Sequence, residues 1–407
     1  MLAVYLTPFF TENALIFLHH LARIEGVQLA VVSQDPEEAL PASLRSKLAG
    51  HWKLNNCLSV EQMRWAVEGL SERLGPVQRL LAANEQIQVP VAQVRQWLGI
   101  AGMDPETALR FRDKDRMKAT FRQHGIPCAR SCAATSEREA WEFVEEVGYP
   151  LCVKPVDGAA TQSTFRVEDA ESLKDVLRAS GPSPRRPLQI EEFITGEEHS
   201  FETVTLEGTP RWHSLTHYIP GPLDVVRNPW IQYQVLLPRE IDSPKYDDIR
   251  QVGRAALEAL GIQQGLSHME WFRRRDGSIA INEVAARPPG VQIMPLINRA
   301  HDIDFFSAWG RLMIFDEFTP PPERKYAAGC AFLRGLGEGR VAEVHGLREV
   351  MRDLSHLITD VKEPQPGDPK AISYEGEGYV IVRHPETRVV AQALQEIVSR
   401  VRVVLTA

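Results

Sequence analysis

The sequence has 407 residues, of which 43% are hydrophobic and 25% are charged, and its formal net charge is −8. This balance predicts an ordinary globular chain of two or three domains, and the net acidity argues against a nucleic-acid partner. No apolar run is long enough to span a membrane, and the N-terminus lacks the basic segment of a signal peptide. The five scattered cysteines are typical of reduced thiols. We therefore expect a cytoplasmic protein without membrane or nucleic-acid partners.

The first elements follow the order strand, helix, strand. Apolar runs at 2–6 and 27–32 predict buried strands, and Thr11 is a suitable N-cap for the helix between them. This order is typical of a parallel, Rossmann-like unit, which we place at residues 1–105. Its predicted helices are Asn13–Ile24, Glu61–Leu74 and Val91–Leu98. No GxGxxG motif follows the first strand, so the sequence does not predict a dinucleotide site there.

A second unit is predicted for residues 106–187, with helices over Lys114–His124 and Ser136–Val147. A short buried strand, 150–155, then presents Lys154 and is followed by the loop VDGAATQST. The backbone N–H groups of such small, hydroxyl-rich loops can approach phosphate oxygens. The alternative is a solvated lysine at a strand end beside an ordinary polar turn.

The linker-like segment Ser180–Pro187 leads into a third predicted unit, residues 188–325, and a C-terminal α+β subdomain occupies 326–407. The turn at Glu207-Gly208 predicts a hairpin, and residues 220–239 are irregular and form a candidate substrate loop. The other predicted elements are a helix at Asp247–Leu260, strands at Ala328–Leu333 and Gly378–Val382, and a helix at Thr387–Arg400.

The stretch 267–290 carries the clearest signal of a site. Asp276-Gly277 predicts a two-residue type I′ turn, and the hairpin that it closes pairs Phe272 with Ile281 and Glu270 with Glu283. Two carboxylates directly opposite each other repel. The face that holds them is predicted to consist of His268, Glu270, Phe272, Ile279, Ile281 and Glu283.

A bare negative charge on an otherwise apolar face is costly, so we expect a cation beside Glu270 and Glu283. Ligands that are all oxygen favour Mg²⁺, with Mn²⁺ as a second option, and Mg²⁺ commonly takes one or two carboxylates together with phosphate and water. The alternative is a surface hairpin whose two acids point apart into solvent.

Four motifs occur along the chain in one order: DK-x₁₀-GIP from Asp113, GYP-x₃-KP from Gly148, IEEFITGEEHS from Ile190 and E-x₁₂-E-x₃-R from Glu270. With these motifs the chain resembles the ATP-grasp superfamily, of the carboxylate–amine ligase type, over nearly its whole length. The resemblance implies an α/β fold with α+β lobes. It has a Rossmann-like N-terminal domain, a small ATP-binding lobe and a central catalytic lobe, with ATP held between two antiparallel sheets.

The resemblance also implies roles for individual residues. It assigns ATP contacts to Lys114, Lys154, Ser163, Glu191, Glu192, Phe193, Ile194 and Glu198, metal coordination to Glu270 and Glu283, and catalytic roles to His268 and Arg287. The two lysines are expected at the phosphates, 191–194 at the adenine and Glu198 at the ribose. Arg287 is expected at the transferring phosphoryl group, and a salt bridge from Arg287 to one of the two hairpin acids is the alternative.

One position departs from the superfamily pattern, because Ala285 stands where an asparagine usually supplies a further metal ligand. This departure implies looser coordination or one fewer metal. The string EVAAR and His268 are similar to the bacterial L-amino acid ligases of the bacilysin dipeptide synthetase type.

The resemblance implies an enzyme that uses ATP to join a small-molecule carboxylate to an amine through an acyl phosphate, with an amino acid as substrate and a homodimer as one option. An ATP-dependent kinase or carboxylase and a nucleotide-binding regulatory protein without turnover are the alternatives. The fold does not fix the substrates. Candidate substrate-pocket residues are His217, Arg227, Trp230 and Arg311.

Overall fold

The computed structural model describes residues 1–155, 165–228, 230–373 and 375–406. Its first elements are β1 (Leu2–Leu6), α1 (Glu12–Leu21), β2 (Gln28–Ser33), α2 (Ala42–Arg45), β3 (Gly50–Lys53), α3 (Val60–Leu74), β4 (Val77–Leu81) and α4 (Gln88–Leu98). The strands form a parallel sheet, the N-terminal sheet, in the order β3-β2-β1-β4. The Thr11 hydroxyl accepts a hydrogen bond from the Ala14 N–H and caps α1. The parallel pairing agrees with the predicted order of strand, helix and strand.

The next elements build a small antiparallel sheet covered by helices. They are α5 (Pro105–Arg112), α6 (Lys114–Gln123), β5 (Ser131–Ala134), α7 (Glu137–Val147), β6 (Leu151–Pro155), β7 (Phe165–Val167), α8 (Ala170–Ser180) and β8 (Leu188–Glu192). The small sheet has the order β5-β8-β6-β7. The strand after the segment Ser180–Pro187 therefore pairs with the small sheet, although the predicted boundary at residue 187 assigns it to the following unit.

A large antiparallel sheet follows. Its part of the chain contains β9 (Gly196–Leu206), β10 (Thr209–Ile219), α9 (Pro222–Arg227), β11 (Tyr233–Leu237), α10 (Asp247–Leu260), β12 (Gly265–Arg274), β13 (Ile279–Ala285), α11 (Ile293–His301), α12 (Phe305–Phe315) and β14 (Ala327–Leu333). The elements after β14 are β15 (Gly335–Leu336), β16 (Arg340–His345), α13 (Leu347–Asp353), β17 (Ile358–Lys362), β18 (Gly378–His384), α14 (Thr387–Arg400) and β19 (Arg402–Thr406).

The large sheet has the order β13-β12-β9-β10-β11-β14-β18-β17. Strands β14, β17 and β18 therefore extend the same sheet as β9–β13, while β15, β16 and β19 form a separate sheet. The prediction that residues 220–239 are irregular is wrong in part, because they contain α9 and the buried strand β11. Five consecutive buried residues, YQVLL, form an interior strand of the large sheet, and the prolines and tryptophan around them masked that signal.

Each face of the large sheet packs on its own set of helices. One face carries Phe201, Met269 and Trp271 and buries them against α10. The other face carries Val204 and Leu266 and packs in a core to which α1, α11 and α12 contribute. Alternating residues of each strand are thereby divided between two cores. In the part of the chain that the structure describes, no helix has the length and apolar character needed to cross a bilayer.

The β12–β13 hairpin pairs Glu270 with Glu283 as predicted, but its turn and the pairs next to the turn differ from the prediction. The Gly277 N–H donates to the Arg274 carbonyl (3.0 Å), and the Arg274 N–H donates to the Ser278 carbonyl (2.8 Å). The turn therefore has three residues, with Gly277 at a φ of +86° and Asp276 outside the positive region. The predicted type I′ turn is wrong, because the third loop residue lets Gly277 alone take the left-handed conformation.

The extra turn residue shifts the neighbouring pairs by one, so that Phe272 faces Ala280 and not Ile281. A β-bulge at Asn282 then adds one residue to β13 and restores the pairing of the two acids. Because of this bulge, Ile279 and Ile281 lie in the core beside α10 rather than on the face of the acids. The prediction that these two isoleucines share a face with the acids is therefore wrong.

Candidate active site

The small and large sheets enclose a cavity of about 610 Å³, to which the N-terminal unit also contributes. Its wall contains every predicted site residue in the described ranges: Lys114, Lys154, Glu191, Glu192, Phe193, Ile194, Glu198, His268, Glu270, Glu283 and Arg287. Ser163 and the rest of the predicted phosphate loop, 156–164, lie outside the described residues. Residues that are up to 173 positions apart in the sequence, from 114 to 287, thus meet at one cavity.

The two hairpin acids have different partners in the cavity. The Lys114 ammonium donates to Glu283 Oε1 at 2.9 Å. Burial would raise the pKa of Glu283, but the nearby Lys114 and Lys154 ammonium groups hold it well below its ordinary value. Glu270 instead accepts a hydrogen bond from the Asn282 amide (3.3 Å) and lies 3.8 Å from His268 Nε2. Neither acid points apart into solvent, so the surface-hairpin alternative does not hold.

The oxygen donors at this wall fit a divalent cation that also binds phosphate. Among the described residues, no group of three or more His, Cys, Asp or Glu side chains could hold a metal ion alone. Glu270 and Glu283 supply two carboxylates, and rotation of the Asn282 amide would add a third oxygen. Mg²⁺ accepts such a partial protein set, since phosphate and water complete its octahedron. Ala285 is buried and contributes a methyl group only.

Lys154 projects from β6 into the cavity and is held by Glu191. Its ammonium lies 3.1 Å from Glu191 Oε2, and the buried Lys118 ammonium lies 3.9 Å from Glu191 Oε1. Burial opposes the charge of Lys154, but the Glu191 carboxylate outweighs burial and raises the pKa of Lys154. The Glu191 carboxylate therefore serves as the counter-ion of two lysines.

Aromatic and charged side chains also line the cavity. The Arg166 guanidinium lies over the Phe193 ring, 4.3 Å from its centre, a cation–π contact that the sequence analysis missed. Glu192 binds Arg130 (2.8 Å) and Arg274 (2.7 Å). At Glu198, burial raises the pKa well above the ordinary value, and the Glu270 charge raises it further.

Arg287 is fixed by an acid from the N-terminal unit. Its Nε (3.1 Å) and Nη2 (2.7 Å) donate to Glu85 Oε2, and its Nη1 donates to the Pro288 carbonyl at 2.9 Å. Arg112 Nη1 lies 3.4 Å from the other Glu85 oxygen. The alternative of a salt bridge to a hairpin acid is replaced by this bond to Glu85. No sequence motif indicates Glu85, because it lies in a short 3₁₀ turn, Glu85–Ile87.

His268 connects the cavity to a buried acid. Its Nδ1 lies 2.9 Å from Glu202 Oε1, and its Nε2 lies 3.5 Å from the Tyr218 hydroxyl. Burial would lower the pKa of His268, but the neighbouring Glu202 and Glu270 carboxylates raise it to about 9. Glu202 was also missed, although its alternation with Val204 put an acid on the apolar face of a strand.

The four candidate substrate-pocket residues do not line the cavity. His217 lies on the α10 side of the sheet, where its Nε2 is 2.8 Å from the Tyr246 hydroxyl. Trp230 is largely exposed, and Arg311 pairs with Glu317 on the surface. Arg227 is the last residue of α9, whereas the first residues of that helix, 222–224, reach the cavity wall.

Comparisons with known proteins agree with this geometry. The family profile of the ATP-grasp domain matches residues 119–290. An L-arginine-specific L-amino acid ligase of Bacillus subtilis is 26% identical over 241 residues, 58% of this chain and 57% of that protein. The matched region thus spans little more than half of that relative's length.

Several solved structures superpose over the whole chain. An L-amino acid ligase from Bacillus licheniformis superposes with a TM-score of 0.79 at 18% identity, covering 100% of this chain and 99% of that one. An N5-carboxyaminoimidazole ribonucleotide synthetase from Thermotoga maritima superposes with a TM-score of 0.71 at 18% identity, with the same coverage. At this level of identity, the two likenesses establish a shared fold.

Proposed function

We propose that this protein, whose chain contains an ATP-grasp domain and has the ATP-grasp fold, is an ATP-dependent ligase that joins a carboxylate to an amine. The observation that carries the proposal is that basic and acidic side chains from separate parts of the fold line one cavity. Lys154 comes from the small sheet, while Glu270, Glu283 and Arg287 come from the β12–β13 hairpin and the segment after it. Phosphoryl transfer needs mainly positioning and charge neutralisation, which such a set supplies.

In the proposed reaction a carboxylate oxygen attacks the γ-phosphorus of ATP, and the bond to the ADP oxygen breaks. The acyl phosphate then reacts with an amine nitrogen, which forms the amide, releases inorganic phosphate and loses a proton. Lys114 and Lys154 would hold phosphate oxygens, and Arg287 would bind the transferring group as a charged, bidentate fork. Mg²⁺ held by Glu270 and Glu283 would neutralise phosphate charge when bound.

The polar residues that line the cavity from the N-terminal unit support an amino acid as substrate. They are Tyr5, Thr7, Thr11, Asn13, Asn84 and Gln86, and Glu375 joins them from the C-terminal part of the chain. Hydroxyl, amide and carboxylate groups suit a ligand that carries both an ammonium and a carboxylate. The relative from Bacillus subtilis, named for its action on L-arginine as an L-amino acid ligase, supports the same substrate class.

A screen of paired amino acids tests the proposal, with phosphate, ADP and product mass as readouts. We expect phosphate release that requires both a carboxylate and an amine, with one phosphate formed per amide. The Glu283→Gln variant serves as the inactive control. AMP as a product, or phosphate release that ignores every acid and amine offered, would contradict a ligase of this type.

The same screen identifies the other function classes. A kinase needs one acceptor and yields a stable phosphorylated product, and a carboxylase requires bicarbonate. A regulatory nucleotide-binding protein shows no turnover, yet ATP raises its melting temperature by mass action.

A further inference from the structure

We propose that Glu202 is a positioning residue, which holds the His268 ring with Nε2 directed at Glu270 and the cavity. The inference rests on the proposed function, because it assigns to Glu202 a part in the same reaction. Glu202 is fully buried and does not line the cavity, so it acts on substrates only through His268.

A row of polar residues across three strands of the large sheet places Glu202 behind His268. Glu202 of β9 pairs with His268 of β12 on one side and with Ser214 of β10 on the other. Its carboxylate accepts hydrogen bonds from the Ser200 hydroxyl (2.5 Å) and the Thr216 hydroxyl (3.2 Å), besides the contact with His268. A carboxylate without access to water is tolerated only when it is paired in this way.

The contact with Glu202 determines which ring nitrogen faces the cavity. An acceptor carboxylate at 2.9 Å requires a proton on His268 Nδ1, and Nε2 then points away from Glu202. The contacts of Nε2 to Tyr218 Oη (3.5 Å) and Glu270 Oε1 (3.8 Å) are too long to fix the ring. The short bond to Glu202 is therefore what orients the imidazole.

The competing explanation is that Glu202 only balances the charge of the buried Arg324. That guanidinium is already bound by the Ser214 hydroxyl (2.6 Å), the Pro238 carbonyl (2.8 Å) and His301 Nε2 (3.2 Å). If Glu202 served Arg324 alone, its replacement would change stability and leave the His268 ring where it is.

A double-mutant cycle separates the two explanations. We expect Glu202→Gln to lower kcat by about 10- to 100-fold, as for other groups that orient a functional histidine, while KM for ATP changes little. In the His268→Ala background the same substitution should change kcat by less than about twofold, because the residue through which it acts is gone. Equal losses in both backgrounds would overturn the proposal. Glu207→Gln, an exposed change in the turn directly after the same strand, is the matched control and should keep wild-type rates.

A second readout does not depend on turnover. The hydrogen-bonded Nδ1 proton of His268 should give a downfield NMR signal that disappears in His268→Gln and moves upfield in Glu202→Gln. An unchanged signal in Glu202→Gln would overturn the proposal even if the wild-type protein shows no ligase activity, which would refute the proposed function separately. If Glu202→Gln does not fold, Glu202→Asp replaces it in both experiments, since it keeps the charge but withdraws the carboxylate from Nδ1.

Discussion

Glu270 and Glu283 are opposed across the hairpin, but their surroundings differ at the level of single residues. Glu283 is bound by the buried Lys114 ammonium, whereas Glu270 has the Asn282 amide and His268 beside it. Repulsion between two acids would predict the same response to the loss of either one. The unequal partners instead predict two different responses in stability.

We expect Glu270→Gln and Glu283→Gln to abolish ligase turnover, because each removes a proposed metal ligand. Without ligands, Glu270→Gln should leave the free energy of unfolding unchanged or slightly higher. Glu283→Gln should lower it by about 1–3 kcal/mol, since Lys114 then keeps only a neutral acceptor at that position. Urea unfolding of both variants measures the difference, and full activity of either variant at ordinary Mg²⁺ concentrations would contradict the metal assignment.

The proposed role of Lys154 is to bind the phosphates of ATP. Its replacement by alanine should weaken ATP binding by about 10- to 100-fold and leave adenosine binding nearly unchanged, because an ammonium contributes to phosphate and not to base recognition. Calorimetric titration with both ligands measures the ratio. Lys174→Ala, on the exposed side of α8 in the same part of the chain, is the control. Equal losses for ATP and adenosine would mean that Lys154 supports the fold through Glu191.

Two similar dipeptides, both predicted to form two-residue turns, form turns of different length. Glu207-Gly208 forms a two-residue turn with φ values of +53° and +67°, whereas Asp276-Gly277 became part of a three-residue turn. Dipeptide propensity does not decide between these loops, because packing of the strands on α10 selects the register. The prediction of the Glu270–Glu283 pair is correct only because the bulge at Asn282 cancels the one-residue shift in register that the longer turn causes.

The sequence motifs identified many of the residues that line the cavity, but not the residues outside the motifs that hold them in place. Glu85, Glu202 and Arg166 act across long sequence separations, and their roles depend on the approach of separate elements. An acid among apolar alternating residues, as at Glu202, is a signal that local analysis can detect. Glu85 carries no such signal, since polar residues are common in loops.

The face of β9 and β10 toward α10 contains three histidines whose pKa is lowered by burial: His199, His213 and His217. Burial and the neighbouring His217 lower the pKa of His199 to about 3, and burial lowers that of His217 to about 4. An unfolded chain binds protons at both sites below pH 6.5, whereas the folded protein does so only near pH 3–4. The stability that these two neutral histidines contribute is therefore fully present above pH 6.5, and it decreases as the pH falls toward 4.

We expect His199 and His217 each to lower the free energy of unfolding by about 2 kcal/mol between pH 8 and pH 5. His217→Phe keeps an aromatic ring beside His199 and should remove about half of the combined loss. Urea unfolding at the two pH values measures it, with the exposed His356→Phe as the control. The same pH dependence in wild type and His217→Phe would show that His217 does not contribute.

At the scale of the whole molecule, the cavity is assembled from parts that are far apart in sequence. The parallel N-terminal sheet and the antiparallel character of the later strands could be predicted from local patterns. That strands β14, β17 and β18 extend the large sheet could not, because strand pairing across a hundred residues leaves no local pattern. Ion pairs join the N-terminal unit to the rest of the chain, as between Arg79 and Asp316 at 2.9 Å.

One ion pair between the N-terminal unit and the rest of the chain lies at the cavity. It can be compared with an ion pair that lies away from the cavity. Glu85 from the N-terminal unit binds Arg287, whereas Asp316 binds Arg79 away from the cavity. We expect Glu85→Gln to lower kcat by about tenfold or more, because a small displacement of Arg287 spoils its approach to the transferring phosphoryl group. Asp316→Asn removes a charge from a similar contact and should leave kcat unchanged. Steady-state phosphate release, with a melting curve for each variant, distinguishes catalysis from docking of the N-terminal unit. Equal losses of rate in both variants would mean that the contacts act by holding the N-terminal unit in place, and wild-type rates in Glu85→Gln would mean that Arg287 needs no support from Glu85.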